Sequence, residues 1–125
     1  MANRVCETLG IEYPVIQRAM AWTSMAPLVA AVSKAGGLGV LGSGFMPKEV
    51  ILEQVAAVRA VTDKPFAANL FLDPSSQLEI GAAAIIEGKV PVAYIDSLNL
   101  LDYDLAKEYY AKFHAAGTVS ASDKM

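Results

Sequence analysis

Four short apolar or β-branched runs recur along the chain, at Pro14 to Gln17, Leu38 to Leu41, Pro65 to Leu72 and Val92 to Ile95. A helical segment follows each of them. Strands separated by helices cannot pair through tight hairpins; they lie parallel, joined by right-handed crossovers. Pro91 is tolerated because it stands at the start of its run, where no ladder donor is needed.

The helices are legible from apolar spacing and from their ends. Over Met25 to Ala35, Pro27 falls in the first turn, Leu28 and Val32 share a face, and Gly36 stops the helix. Over Pro47 to Val61, Ile51, Val55 and Val58 form one face, with Lys48, Glu49, Glu53 and Arg59 on a wetter one. The turn Asp73-Pro74-Ser75 leads into a third helix, where Ser76 and Glu79 have capping-box spacing and Gly88 ends the run. The fourth extends to about Ala116, with Leu105, Tyr109 and Phe113 in register, Glu108 and Lys112 as an i,i+4 pair, and Gly117 as its cap. The tail TVSASDKM then begins like another strand. Small residues at Ala30, Ala31, Ala56 and Ala57 predict close packing of helices on the sheet.

With 125 residues, 54% of them hydrophobic, the chain has material for one core, and no composition shift or linker divides 1–125 into two domains. The net charge of -3 is scattered, with no basic stripe for nucleic acid. No apolar run reaches the roughly 20 residues of a membrane span, and no signal-type segment opens the chain. The expectation is a soluble, cytoplasmic protein. Cys6 is the only cysteine and His114 the only histidine, so neither an internal disulfide nor a zinc site is expected. His114 reads as a surface or helix-end residue, where a cation suits the helix dipole.

The run Ala35 to Gly44, AGGLGVLGSG, contains GxGxxG at Gly37, Gly39 and Gly42. A dinucleotide fingerprint needs a strand before the glycines and a helix immediately after them. Here a helix comes first and the middle of the pattern is itself strand-like. Asp63 stands at a ribose-acid offset, a coincidence that one acid often meets. The glycines are instead expected to end a helix and to let a strand and its loop pass close to a bulky neighbour.

Three linked stretches, IEYPVIQRAMAW, AAVSKAGGLGVLGSGFMPKEV and TDKPFAANLFL, resemble the N-terminal part of the nitronate monooxygenase family, formerly called 2-nitropropane dioxygenases. FMN-dependent enoyl-acyl-carrier-protein reductases are close relatives that share these motifs. The resemblance is strong over residues 8 to about 72. It implies the N-terminal half of a (β/α)8 barrel of about 250 residues, with FMN at the carboxyl ends of the strands. It further implies that Gln17, Ala19, Met20 and Ala21 run under the flavin, that Asn69 hydrogen-bonds it, and that Ser43 and Gly44 are outer contacts. Asn69 also stands out chemically, since an amide closing an apolar strand needs a partner.

Arg18 departs from the pattern, because relatives usually carry a small residue after the glutamine; it either crosses the flavin site or turns outward. The phosphate-binding loops and the catalytic histidine of the family belong to the half outside this chain. His114 is not in the family's glycine-rich histidine motif, and no catalytic residue is assigned.

The implied activities are oxidation of alkyl nitronates with oxygen or, alternatively, reduction of an enoyl thioester. A third reading is a non-catalytic half-barrel. Open sheet edges predict a homo-oligomer or pairing with another chain under each of these. A different small α/β module for a phosphorylated ligand is the remaining alternative, although QRAMAW offers few hydroxyl or glycine donors for it.

Overall fold

A computed structural model describes residues 3–73, 77–97 and 103–122, the side chains of 103 and 120–122 excepted. Its strands are β1 (Ile16–Gln17), β2 (Leu38–Leu41), β3 (Phe66–Phe71), β4 (Val92–Asp96) and β5 (Val119–Ser122). They form one five-stranded sheet in the order β1-β2-β3-β4-β5, parallel at every pairing. Between them lie α2 (Ala26–Lys34), α3 (Lys48–Val61), α4 (Leu78–Glu87) and α5 (Tyr103–Ala115).

Strictly sequential order is the informative feature. A doubly wound sheet reverses direction at a switch point and puts helices on both faces. Here each right-handed crossover advances the same way, so α2 to α5 gather on one face and the other becomes the concave interior of a barrel. The packing follows this division. Leu41, Phe66, Ala68, Leu70, Ala93 and Ile95 point outward into one cluster with Val29, Ile51, Val58, Ile85 and Phe113 of the helices. Leu38, Val40, Ala67 and Val92 point inward into a second cluster. The chain is therefore an N-terminal half-barrel with four βα units and a fifth strand.

One further helix, α1 (Arg4–Leu9), is absent from the alternation read in the sequence. Asn3 caps its first turn, its Oδ1 accepting from Cys6 N at 2.9 Å, and Gly10 ends it at φ +71°. Its Cys6 and Leu9, with Ile11, close over the inward residues of β2, β3 and β4. The helix seals the barrel's amino-terminal end.

The buried face of α2 is Ala26, Val29, Ala30 and Ser33, while Leu28 and Val32 are half-buried beside it. Of the four small residues expected to pack, only Ala30 is buried; Ala31, Ala56 and Ala57 are exposed. The close approach comes from a glycine on the sheet instead. A Cβ on Gly39 would stand 2.3 Å from Val29 O, so this position admits α2 only without a side chain. Ser33 Oγ then accepts from Gly39 N at 3.0 Å.

Ser76 lies outside the described residues, and α4 begins at an N-cap Gln77 with no side-chain capping bond. Glu79 reaches to α5, accepting from Tyr109 Oη at 2.6 Å and from Lys112 Nζ at 3.1 Å. The Glu108 pair with Lys112 is longer, at 3.8 Å. No helix among the described residues is long and apolar enough to cross a membrane, and they gather no cluster of three or more metal-ligating side chains.

Candidate functional site

The inward-pointing positions change character along β3 and β4. Val40, Ala67 and Val92 are apolar at the sealed end, whereas Asn69, Tyr94 and Asp96 follow at the carboxyl ends of β3 and β4. There the strand ends and their loops enclose a cleft of about 170 Å³. Its lining comes from the β1 loop (Arg18, Ala19, Ala21), the β2 end (Gly42, Gly44, Phe45), β3 (Asn69, Phe71) and β4 (Asp96).

The β1 loop is held by a set of hydrogen bonds that begins at Gln17. Its Oε1 accepts from Val40 N at 3.2 Å, and its Nε2 donates to Val40 O at 3.3 Å and to Ser24 Oγ at 2.5 Å. The side chain thereby imitates a strand and lengthens a β1 that has only two residues. Arg18 O accepts from Ser24 Oγ at 3.1 Å and from Gln17 Nε2. Met20 O accepts from Thr23 N and Ser24 N, closing the turn that carries Trp22 at φ +61°.

This loop lies directly on β2. A Cβ on Gly42 would stand 2.4 Å from Met20 O and 3.3 Å from Ala21 N. The bulky neighbour that the glycine run accommodates is therefore the chain's own backbone, α2 at Gly39 and the Met20–Ala21 peptide at Gly42. Neither glycine cradles a phosphate.

Of the candidate residues, Ala19, Ala21, Gly44 and Asn69 line the cleft together. Gln17, Met20 and Ser43 stand behind or beside that wall. The Ser43 hydroxyl is buried and donates to Asn69 O at 2.8 Å, tying the β2 loop to β3. The Met20 side chain is exposed while its carbonyl closes the turn. Arg18 is exposed at the cleft mouth, and among the described residues its guanidinium has no ion-pair partner. Asp63 follows α3 in the loop before β3, and His114 ends α5 in a separate hollow with Thr8 and Tyr110; neither reaches the cleft.

Asn69 is 7% exposed, and its Nδ2 donates to Tyr94 O at 3.1 Å and to Asp96 Oδ1 at 2.6 Å. Asp96, 8% exposed, escaped the sequence reading. The signal was available: an acid ending the apolar run VAYID poses the same partner question as the amide inside FAANLF, since β3 continues past Asn69 to Phe71. Phe45 and Phe71, ring centroids 5.5 Å apart, form an aromatic corner that sequence reasoning also missed.

A cleft at the carboxyl ends of parallel strands, with a wall of alanine and glycine and a buried amide, suits a flat ligand laid against main chain. Comparison with known proteins agrees with this architecture. A relative from Mycobacterium tuberculosis, a (3aS,4S,5R,7aS)-5-hydroxy-7a-methyl-1-oxo-octahydro-1H-indene-4-carboxyl-CoA dehydrogenase, is 46% identical over 115 residues, covering 90% of this chain and 30% of that protein. A probable nitronate monooxygenase from Staphylococcus saprophyticus is 40% identical over 80 residues, covering 64% of this chain and 22% of its own. The solved structure of FabK from Thermotoga maritima superposes with a TM-score of 0.86 at 34% identity, covering 98% of this chain and 37% of that one. The chain spans well under half the length of these relatives. The nitronate monooxygenase family model matches residues 2–115, and the chain belongs to that family.

Proposed function

We propose that this chain forms one wall of an FMN site in an oxidoreductase of the nitronate-oxidising type. The observation that carries the reading is the cleft itself: a Cβ-poor wall, Ala19, Ala21 and Gly44, facing a buried amide, Asn69, at the strand ends. Held there, FMN would supply the redox chemistry between an alkyl nitronate and dioxygen. The chain's residues position and shield. Ala19, Ala21 and Gly44 would let a planar ring approach the main chain, and Asn69 would offer it a hydrogen bond. Gln17 and Ser43 hold the wall from behind, and Phe45 with Phe71 limits water at one side.

A cleft of about 170 Å³ is smaller than the roughly 300 Å³ at which ligand pockets begin. The rest of the site, with the groups that neutralise the FMN phosphate, comes from outside these strands. The outer edge of β1 fits that reading: Val15 and Ile16 are 58% and 39% exposed, a strand edge that natural folds cover. We infer that this edge pairs with another chain or a second copy. Light scattering on a size-exclusion column tests it, and a stable monomer at micromolar concentration sinks it.

A second reading, redox chemistry on an acyl thioester, is favoured by the 46% identity to a carboxyl-CoA dehydrogenase. The visible spectrum of the purified chain, before and after FMN addition and desalting, decides whether either reading stands. Retention of a flavin band near stoichiometry supports the site, and turnover of an alkyl nitronate against an enoyl thioester then separates the two. A flat spectrum overturns both as functions of this chain.

A further inference from the structure

The two ends of the Asn69 amide are chemically opposite, and which end faces the cleft decides what the cleft can bind. β4 makes that choice. In the parallel register Asn69 lies beside Tyr94, and Phe71 beside Asp96. Asp96 therefore sits on the inward face one step above Asn69 and reaches back to it. Nδ2 donates to Asp96 Oδ1 at 2.6 Å and to Tyr94 O at 3.1 Å. Both partners are acceptors, so a flipped amide would set its oxygen against two others. The short contact is to a carboxyl oxygen, in a place where both residues are under a tenth exposed and such a bond is strengthened by its surroundings.

The other end of the amide is directed away from β4. A Cβ on Gly44, which lines the cleft, would stand 3.0 Å from Asn69 Oδ1. Among the described residues no group donates to that oxygen, and no buried side-chain nitrogen or oxygen lacks a partner. Asn69 Oδ1 accordingly opens onto the cleft.

We propose that Asp96 is a positioning residue that locks Asn69 as a hydrogen-bond acceptor, so that the cleft selects a planar ligand presenting a ring N–H of the imide or lactam class. The proposal rests on the flavin reading only for the ligand's identity, since the isoalloxazine ring carries such an imide. It predicts discrimination against the same ring with that nitrogen alkylated.

Two measurements on the whole chain test it. In the flavin-free protein, the Asn69 side-chain NH2 pair in a 1H–15N spectrum, assigned by its loss in Asn69→Ala, should be shifted downfield and slow to exchange. Asp96→Asn should return it toward the positions of solvent-exposed amides; an unmoved pair overturns the lock. With flavin, the wild type should bind FMN at least about tenfold more tightly than 3-methyl-FMN, the weight of one well-made hydrogen bond. Asp96→Asn should shrink that ratio to less than about threefold, because the introduced amide can either accept from or donate to Asn69 and only Tyr94 O then favours the oxygen-outward orientation. A merely structural role would weaken both flavins alike and leave the ratio intact, which overturns the proposal. If Asp96→Asn fails to fold, Asp96→Ser takes its place in both measurements. If the wild type binds neither flavin, the flavin reading fails and the amide spectrum still decides whether Asp96 holds Asn69.

Discussion

The two ends of one sheet are built to opposite specifications. At the amino-terminal end, Cys6, Leu9 and Ile11, each under a tenth exposed, close over Leu38, Val40, Ala67 and Val92. At the carboxyl end the buried residues include Ser43, Asn69, Asp96 and Ser97, while Met20, Trp22 and Phe45 stand exposed around them. The same strands supply both ends. The inward columns of β3 and β4 begin apolar, at Ala67 and Val92, and carry Asn69 and Asp96 toward the other end, so stability and ligand chemistry are separated along the strand axis. If that division is sound, substitutions at the sealed end change stability and leave ligand affinity alone, and those at the open end do the reverse.

Gly39→Ala is expected to cost most, about 3 kcal/mol, because the new Cβ meets helix backbone with no flexible side chain to yield. Urea denaturation measures it; a cost below about 1 kcal/mol would mean that α2 rides loosely on β2. Leu9→Ala follows, at about 2 kcal/mol for a buried leucine. Flavin affinity should be unaltered in the folded fraction, and a parallel loss of affinity would break the separation of the two ends.

Gly42→Ala sharpens the comparison from the other side. Its Cβ would stand 2.4 Å from Met20 O, so the Met20–Ala21 peptide must shift against the hydrogen bonds of its own turn. The expected stability cost is about 1 kcal/mol, with FMN affinity falling about tenfold as the wall shifts into the cleft. Spectroscopic titration and urea unfolding of the same variant give the two numbers. A loss confined to stability would remove the β1 loop from the binding surface.

These expectations also show what the chain made legible. The helices α2 to α5 were readable because their apolar spacing and end signals run long enough to show a period near 3.6, and the strands because short apolar runs stand between them. The helix α1 was not: six residues give under two turns of periodicity, and its burial depends on a sheet interior that local sequence does not announce. At the site, Asn69 was found by the partner that a buried amide demands. Asp96 posed the same demand at the end of VAYID and went unread because it lies beyond residue 72, where the family resemblance fades. Gln17 was singled out by the resemblance alone, and its pairing with Val40 depends on β1 being only two residues long. The spacing of Ser76 and Glu79 suggested a local cap, whereas Glu79 instead bonds α5, a contact 30 residues distant.

That α4–α5 contact supplies the smallest expected effect and a control that belongs to neither end. The Glu79 carboxyl is held below its ordinary 4.5, first by the Tyr109 hydroxyl that donates to it and then by Lys112. Tyr109 is correspondingly pushed up, by burial and then by the same bond. A lowered folded-state value means that the folded chain binds fewer protons than the unfolded one near that pH. The stabilisation is therefore complete above 4.5 and is lost as pH falls through the depressed value. Tyr109→Phe keeps the buried ring and removes the donor. The stability gap between variant and wild type should be present near pH 7, small because Glu79 is mostly exposed, and should shrink progressively below 4.5. A gap that stays constant into acid would assign it to the hydroxyl's packing and leave the carboxylate without a part. Flavin retention should be identical in the two proteins throughout, since this seam touches neither the α1 seal nor the cleft; a change there would mean that the outer helices, too, set the geometry of the strand ends.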